Sequence, residues 1–352
     1  MITTPQLKNI KELLEKSQNP LFFFDNDVDG LCSFLIIQRS LGRGKGVSIK
    51  SFPELTKSYA RKIDELNPDV VIILDKPRVS SEFIKEVEEK SIPIIWIDHH
   101  DVPIEEEIME KVHYFNSFDK KTGKSEPTTY IAQKIFNRQE DLWLAMIGCI
   151  GDVYMPDFAE EFSEENPEIF PKKETGSAFN SLYTTDIGKI VRMLNFGLMD
   201  TTTNVIHLIK YLSQAKNAHD VLEENQYTRQ MHKKYKEYNT FLNKQVDKAE
   251  ANMDKNKHLL FFSYSGTISM SSEISNKLYF KHPSKTVVVA YNNEYQGKIN
   301  ISIRGKNAKD ITEKAIQNIE GASGGGHKEA TGAMVPMDNL EEFKERVEEL
   351  TK

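Results

Sequence analysis

The first half of the chain alternates short, wholly apolar runs with longer segments in which apolar residues recur at helical spacing. The segments LCSFLIIQRSL (31–41) and KSYARKIDEL (57–66) predict helices. The apolar runs predict buried strands at 21–24, 47–52, 70–74 and 92–97. Strands that are apolar on both faces and are separated by helices indicate a parallel sheet covered on both sides. In such sheets ligands bind beyond the carboxyl ends of the strands.

The second half follows a different pattern. Residues 160–177 are polar, contain two prolines and predict a loop, whereas residues 219–250 carry apolar residues at three- and four-residue steps and predict one long amphipathic helix. Beyond that helix the chain predicts strands at 259–265, 285–292 and 298–305, a helix at 308–319 and a final charged helix. This order indicates a smaller α+β domain.

The expected fold class is therefore α/β, with an N-terminal parallel-sheet domain and a smaller C-terminal α+β domain joined by a long helix. The expected division is a catalytic domain at 1–215, a connector helix at 216–253 and a substrate-binding domain at 254–352. A chain of 352 residues with 39 % hydrophobic and 28 % charged residues is long enough for two such domains.

Composition excludes some classes of protein. No apolar run approaches the roughly 18 residues that cross a bilayer, so no membrane partner is expected. The two cysteines, Cys32 and Cys149, lie in apolar segments and predict buried thiols of a cytoplasmic protein, not a disulfide framework. The formal net charge of −7 repels nucleic acid, so any nucleic-acid binding would need a local basic groove or bound cations.

Polar side chains follow three of the predicted strands at the point where each strand ends. The strand at 21–24 runs into Asp25, Asn26 and Asp27, and the strand at 70–74 into Asp75. The strand at 92–97 is followed by Asp98, His99 and His100, and the helical segment EDLWLAMIGCIG is followed by Asp152. Because the carboxyl ends of parallel strands share one rim of a sheet, we expect these side chains to lie close together.

The chemistry of this set points to metal ions. Carboxylates at alternate positions, as in Asp25, Asp27 and Asp29, raise one another's pKa unless a cation lies among them, and Gly30 lets the backbone turn closely there. The mixture of carboxylate and imidazole suits Mn²⁺ or a similar transition ion better than Ca²⁺. The number of carboxylates predicts two ions about 3.5–4 Å apart, which activate a water and stabilise an in-line displacement at phosphorus.

Each motif alone has a commoner structural explanation, as a calcium-type loop, a turn or a helix cap. An EF-hand is excluded because its twelfth loop position, which needs glutamate, is Ile36. The joint pattern favours catalysis, since every one of these residues lies at the end of an element on the same predicted rim.

The motifs together resemble the DHH phosphoesterase family with its DHH-associated C-terminal domain. In order along the chain they are DNDVDG (25–30), ILDKP (73–77), IDHHD (97–101), GDV (151–153) and ISIRG (301–305) followed by SGGGHKEATGA (323–333). Pyrophosphatases of this family, and relatives that cleave very short oligonucleotides, carry a histidine where this chain has Phe23. The additional Asp25 is similar to the RecJ type of single-strand-specific exonuclease, here in a compact, archaeal-type form.

The resemblance implies roles for individual residues. Asp98 would orient the histidines, His100 would face the scissile phosphate, and Asp27 would join them as a catalytic group. The implied metal ligands are Asp25, Asp27, Asp29, Asp75, His99 and Asp152. The implied phosphate-binding groups of the C-terminal domain are Arg304, Gly324, Gly325, Gly326 and His327.

The expected function is a metal-dependent exonuclease that hydrolyses single-stranded DNA or RNA to mononucleotides, in DNA repair or replication. It would use two divalent cations, Mn²⁺ or else Mg²⁺, and a helicase or replisome component is the expected protein partner. Two alternatives stay open: a phosphodiesterase for short oligoribonucleotides or small nucleotides, and a replication or repair scaffold that retains nuclease motifs.

Overall fold

The computed structural model describes residues 1–51, 53–255, 257–293 and 297–351, which form two compact units at 1–235 and 236–352. The β-strands are β1 Pro20–Asp25, β2 Lys45–Ile49, β3 Glu54–Leu55, β4 Val70–Leu74, β5 Arg78–Val79, β6 Ile94–Asp98, β7 His113–Asn116, β8 Leu259–Ser265, β9 Thr286–Asn293, β10 Lys298–Arg304, β11 Ser323–His327 and β12 Ala330–Pro336. The α-helices of the first unit are α1 Thr4–Lys16, α2 Val28–Leu41, α3 Arg61–Leu66, α4 Ser81–Glu88, α5 Glu106–Met109, α6 Thr128–Phe136, α7 Leu142–Gly151, α8 Ala159–Glu165, α9 Ala178–Thr184, α10 Asp186–Leu198, α11 Thr202–Leu212 and α12 Ala218–Leu222. The remaining helices are α13 Arg229–Ala251, α14 Ser271–Lys281, α15 Ala308–Ile316 and α16 Leu340–Leu350. Among the described residues, no helix is both long enough and apolar enough to cross a membrane.

The first unit is built on a five-stranded parallel sheet in the order β2-β1-β4-β6-β7. Side chains of β1 alternate between its two faces. Phe22 and Phe24 pack against Phe34 of α2, whereas Phe23 packs against Phe83 of α4. Both faces of the sheet are thus covered, which confirms the predicted α/β class and explains why its central strands are apolar throughout.

The predicted strands lie close to the observed ones. The strand at 70–74 is confirmed residue for residue, and that at 92–97 is found at Ile94–Asp98. The strand expected at 47–52 instead spans Lys45–Ile49, and its last predicted residue, Phe52, lies outside the described residues. The edge strand β7 was not expected because its sequence, HYFN, is short and only partly apolar.

Two predictions along the middle of the chain are wrong in part. The loop expected at 160–177 contains the helix α8, whose Phe162 packs on Phe170 in the core. The single helix expected over 219–250 is divided, because the side chain of Asn225 accepts hydrogen bonds from the backbone N–H groups of Tyr227 and Thr228. Such local bonding competes with helix formation. The proposed boundaries at 215 and 253 remain a prediction.

The second unit contains a mixed sheet in the order β11-β12-β10-β9-β8, antiparallel except for the β8–β9 pair. The strands and helix predicted for this part of the chain are all present, which confirms the α+β character of the second unit. One face of its sheet packs on α15 and α16, where Ile311 and Phe343 join the core.

Candidate metal centre

Three aspartates lie where β1 ends and α2 begins. Asp25 is the last residue of β1, and Asp27 is the N-cap of α2, with its Oδ1 accepting the N–H of Gly30 at 2.9 Å. Asp29 lies in the first turn of α2, where its two oxygens accept the N–H groups of Thr128 and Thr129 at 2.8 Å each. Asp29 therefore also caps α6, which fixes this carboxylate in place from a distant part of the chain.

The turn from β1 into α2 requires glycine at position 30. A Cβ at Gly30 would lie 2.5 Å from the carbonyl oxygen and 2.8 Å from the nitrogen of Asp25. We expect Gly30→Ala to lower the free energy of unfolding by about 1–3 kcal/mol, the usual cost of overpacking. Urea denaturation measures this, with Gly176→Ala as the control, since a Cβ there meets no atom within 4 Å. Equal stabilities of the two variants would contradict the prediction.

Asp75 is a buried carboxylate with an unusual backbone conformation. It follows β4 with a φ of 57°, in the left-handed region that only asparagine, aspartate and glycine adopt readily. Its side chain is 2 % exposed, and its Oδ1 accepts no hydrogen bond in the described part of the chain, although it lies 3.1 Å from His99 Nε2. A buried carboxylate oxygen without a donor is costly. A cation between Asp75 and His99 would remove that cost, so the residues present fit a metal ion.

His99 lies in the middle of the carboxylates. Its Nε2 is 3.9 Å from Asp29 Oδ2, and its Nδ1 is 3.6 Å from Asp152 Oδ2, at the end of α7. Among the residues that the structure describes, two groups could hold a metal ion, with ligand atoms within 4.8 Å of one another: Asp75, His99 and His100, and Asp29, His99 and Asp152. The ends of β1, β4 and β6 therefore meet at one rim, as parallel strands require. The end of α7 joins them through Asp152.

Desolvation and mutual repulsion raise the pKa of three carboxylates of the centre, Asp27, Asp75 and Asp152. Desolvation by the surrounding protein, with the charges of Asp25 and Asp29, raises the pKa of Asp27 to about 6, although this residue is exposed at the rim. Desolvation raises the pKa of Asp152 to about 7, against the lowering influence of His99, although the Asp152 side chain is 36 % exposed. The pKa of Asp75 is raised well above its usual value by burial and by the neighbouring carboxylates. A divalent cation among these carboxylates would favour their charged forms and so lower their pKa values.

The histidine after His99 has a separate support. Asp98 is buried at the end of β6, with its Oδ1 2.7 Å from His100 Nδ1 and its Oδ2 accepting the backbone N–H of His100. Burial lowers the pKa of His100, but the hydrogen bond to Asp98 and its charge outweigh burial and raise the pKa to about 9. In the described contacts Asp98 holds His100 and not His99, whereas the sequence predicted support for both histidines.

Lys76 is a member of the site that was not expected from the sequence. Its side chain is fully buried, and its Nζ donates hydrogen bonds to Asp25 Oδ1 at 2.8 Å and to the carbonyl oxygen of Ser51 at 2.7 Å. The carbonyl oxygen of Lys76 itself accepts a hydrogen bond from Trp96 Nε1. Lysine is usually assumed to lie at the surface, and for this reason Lys76 was not expected at the site. Its position directly after Asp75, at the end of a buried strand, is the feature of the sequence that could have indicated its burial.

The predicted phosphate-binding residues belong to the second unit. Arg304 ends β10, where its guanidinium donates to the side chain of Asn276 and to the carbonyl of Thr331. Residues 324–327 lie in the exposed edge strand β11. A Cβ would lie 3.0 Å from Ala333 at Gly324 and 2.7 Å from a carbonyl oxygen at Gly326, but would meet nothing within 4 Å at Gly325. Packing therefore explains two of the three glycines and leaves Gly325 unexplained.

Two parts of the chain match known domain families. Residues 21–149 match the DHH family, N-terminal domain, and residues 258–352 match the DHHA1 domain. The chain belongs to the DHH phosphoesterase family. The DHH match begins at β1 and ends in α7, so it contains the three strand ends and stops shortly before Asp152. The family's hydrolases act on phosphoester bonds.

Solved structures share the fold of this DHH protein. RecJ from Thermus thermophilus in complex with Mn²⁺ matches with a TM-score of 0.66 and 15 % identity, covering 98 % of this chain and 54 % of that chain. Exonuclease RecJ bound to manganese matches with a TM-score of 0.63 and 17 % identity, covering 98 % and 94 %. The pGpG-specific phosphodiesterase PggH from Vibrio cholerae matches with a TM-score of 0.51 and 10 % identity, covering 95 % and 99 %.

The chain spans about half the length of the Thermus thermophilus RecJ chain. At these identities the similarity establishes a common fold and not a common substrate. A comparison of the sequence with curated proteins finds no match.

Proposed function

We propose that this DHH protein is a metal-dependent exonuclease that hydrolyses single-stranded DNA or RNA to mononucleotides. The observation that carries the proposal is the pair of ligand groups that share His99 at the rim of the parallel sheet. The residues that would hold two cations, Mn²⁺ or else Mg²⁺, are Asp25, Asp27, Asp29, Asp75, His99 and Asp152. Asp25 and Asp27 lie in neither of the two groups, and His100, which lies in one of them, is assigned here to the substrate and not to a cation. When bound, two divalent cations stabilise both the attacking and the leaving oxygen of an in-line displacement at phosphorus.

The side chains of the protein supply orientation. The N–H groups of Thr128 and Thr129 hold the Asp29 carboxylate, and the N–H of Gly30 holds that of Asp27. Asp98 engages Nδ1 of His100, which leaves Nε2 of the same ring to donate a hydrogen bond to a phosphate oxygen of the substrate. A ring held at one nitrogen loses little rotational freedom when the other nitrogen binds, so His100 is preorganised.

Phe23 supports a nuclease over a phosphatase for small molecules. The histidine that marks the small-substrate relatives would stand at this position. Here the Phe23 ring is fully buried on the face of the sheet that packs against α4, 5.3 Å from the ring of Phe83. The position contributes a core contact and no metal ligand.

The test is a time course on end-labelled single strands of DNA and RNA of several lengths, with Mn²⁺, with Mg²⁺ and with chelator. We expect stepwise, metal-dependent release of mononucleotides from long strands, and none from Asp27→Ala. A circular single strand of the same sequence is the matched control substrate, because an exonuclease needs an end. Absence of cleavage with either metal would overturn the proposal.

A second candidate function is a phosphodiesterase for dinucleotides or very short oligonucleotides. The observation that favours it is the match to PggH over 99 % of that chain, since a pGpG-specific enzyme can then have this architecture without further domains. Including a 5′-phosphorylated dinucleotide in the same time course separates the candidates. Cleavage confined to the dinucleotide would favour the second one.

Gly325 offers a test of phosphate binding by the second unit. Its position on an exposed edge strand, with open space where a side chain would be, supports a role in close approach of a phosphate to the backbone. We expect Gly325→Ala to raise KM about tenfold with little change in kcat or in melting temperature, whereas Gly324→Ala, which is crowded by Ala333, lowers the melting temperature. An unchanged KM in Gly325→Ala would argue against this role.

A helicase or replisome partner, and a part in DNA repair or replication, remain predictions.

A further inference from the structure

The first unit contains a second feature that the metal centre does not explain. A groove of about 990 Å³ runs along the open edge of β2, which among the described strands pairs only with β1. Residues of α3 and α11 line the groove, together with Phe34 and Val47. We refer to this feature as the β2 groove.

The charge of the β2 groove is opposite to that of the whole chain. None of its described lining residues is an aspartate or a glutamate, although the chain carries a net charge of −7. Its lining cations are Lys45, Lys50, Arg61, Lys62 and Lys210. Within the described residues the side chains of Lys45, Arg61 and Lys210 form no ion pair, so these three positive charges are not neutralised by the protein.

One end of the groove adjoins the metal centre. Ile49, the last residue of β2, is in register with Asp25 of β1. Just there Ser48 donates a hydrogen bond to the side chain of Asn26, which lies between Asp25 and Asp27. Ser51, which also lines the groove, accepts the hydrogen bond from Lys76. A ligand lying in the groove would therefore reach the carboxylate rim without leaving the first unit.

The groove also offers an aromatic surface. The Tyr59 ring lines it and is fixed by a hydrogen bond from the backbone N–H of Lys50 to its hydroxyl oxygen, at 2.9 Å. Single-stranded nucleic acids bind where cations follow the phosphates and aromatic rings stack on the bases. An acidic peptide that adds a strand to β2 would use the same cations, but the continuity with the metal rim favours the substrate of the metal centre.

We propose that the β2 groove binds the part of a single-stranded DNA or RNA substrate that extends beyond the nucleotides at the metal centre. This inference rests on the proposed nuclease function. The unpaired cations contact phosphates, so the groove contributes affinity for long strands and nothing for a dinucleotide.

The decisive variant is Lys45→Gln/Arg61→Gln/Lys210→Gln, which removes three exposed charges that pair with nothing in the described part of the chain. Fluorescence anisotropy with a labelled 20-nucleotide single strand, in EDTA to prevent cleavage, measures binding across a range of salt concentrations. Each phosphate contact on a single strand contributes about 0.7 to the slope of log affinity against log salt, so we expect the slope to fall by about 2. The control is Lys16→Gln/Lys85→Gln/Lys233→Gln, which removes three exposed cations outside the groove.

Cleavage assays give the second readout. We expect KM for the 20-nucleotide strand to rise about tenfold in the groove variant, with kcat unchanged and with cleavage of a dinucleotide as in the wild type. A salt slope equal to that of the control variant would overturn the inference. So would binding of a glutamate-rich peptide that depends on the groove cations when strand binding does not. If the wild type binds the strand through the groove but cleaves nothing, the nuclease proposal fails while the groove assignment stands.

Discussion

Asp75→Asn is expected to lower the rate of metal-dependent hydrolysis roughly 10³-fold while making the metal-free protein more stable. Asparagine has the size of aspartate and tolerates the φ of 57° at this position. Its amide NH₂ would replace Asp75 Oδ1, which lies 3.1 Å from His99 Nε2, and can donate a hydrogen bond to that nitrogen. It also removes a buried charge whose pKa burial and the neighbouring carboxylates raise well above its usual value. The variant therefore relieves the repulsion that a cation would otherwise relieve.

Thermodynamic linkage between protonation, metal binding and folding gives the direction and the size of both effects. A carboxyl whose pKa is higher in the folded state destabilises the fold at neutral pH, because the charged form is disfavoured there. Removing it raises the free energy of unfolding without metal. A cation that binds only the folded state adds about 2.7 kcal/mol at a hundred times its Kd, and this gain should nearly vanish in the variant. Loss of several kcal/mol of transition-state stabilisation corresponds to a rate roughly 10³-fold lower.

Thermal unfolding with and without Mn²⁺, together with the single-strand assay, measures both effects. Asp64→Asn is the control, since Asp64 is an exposed aspartate whose partner is Lys90 at the surface. If Asp75→Asn keeps the Mn²⁺-dependent rise in melting temperature, Asp75 is not a ligand. If the metal-free variant is less stable than the wild type, favourable contacts of the Asp75 carboxylate outweigh its repulsion by the neighbouring carboxylates.

Hydrophobic pattern alone was enough to predict the parallel sheet of the first unit. Strands buried on both faces, such as β1 and β4, are apolar at every position that precedes the rim and cannot be mistaken for surface segments. Prediction failed where the signal was weak or local. The short edge strand β7 is only partly apolar, and the break before α13 depends on one asparagine side chain that replaces helical hydrogen bonds.

The residues at the rim of the sheet were predictable once the strands were known, because the residues that end parallel strands must share one edge. What the sequence could not show are contacts between distant segments. The bonds from Thr128 and Thr129 to Asp29 join residues about one hundred positions apart. The contact between the Lys76 ammonium and Asp25 could likewise not be predicted, because lysine ordinarily lies at the surface of a protein.

That ammonium gives Asp25 a partner other than a metal ion, and Lys76→Met measures its importance. Methionine fills a similar volume without the charge. The variant therefore leaves the Asp25 carboxylate, whose side chain is 17 % exposed, without its cationic partner and, among the described residues, with only the backbone N–H of Asn26 donating to its Oδ1. Breaking one side of a buried ion pair typically costs about 3–5 kcal/mol of the free energy of unfolding. We expect a loss of this order from urea denaturation without metal.

The double variant Lys76→Met/Asp25→Asn should recover part of the loss, since it removes the unpaired charge as well. A positive coupling energy in this double-mutant cycle would show that the two side chains act as a pair. Lys90→Met/Asp64→Asn provides the matched cycle at the surface, where a coupling below about 1 kcal/mol is expected. Mn²⁺ then decides whether Asp25 also binds metal: a freed carboxylate that is a ligand should let Mn²⁺ stabilise Lys76→Met more than the wild type. Equal stabilisation by Mn²⁺ in both proteins would assign Asp25 to Lys76 alone and remove it from the predicted ligands.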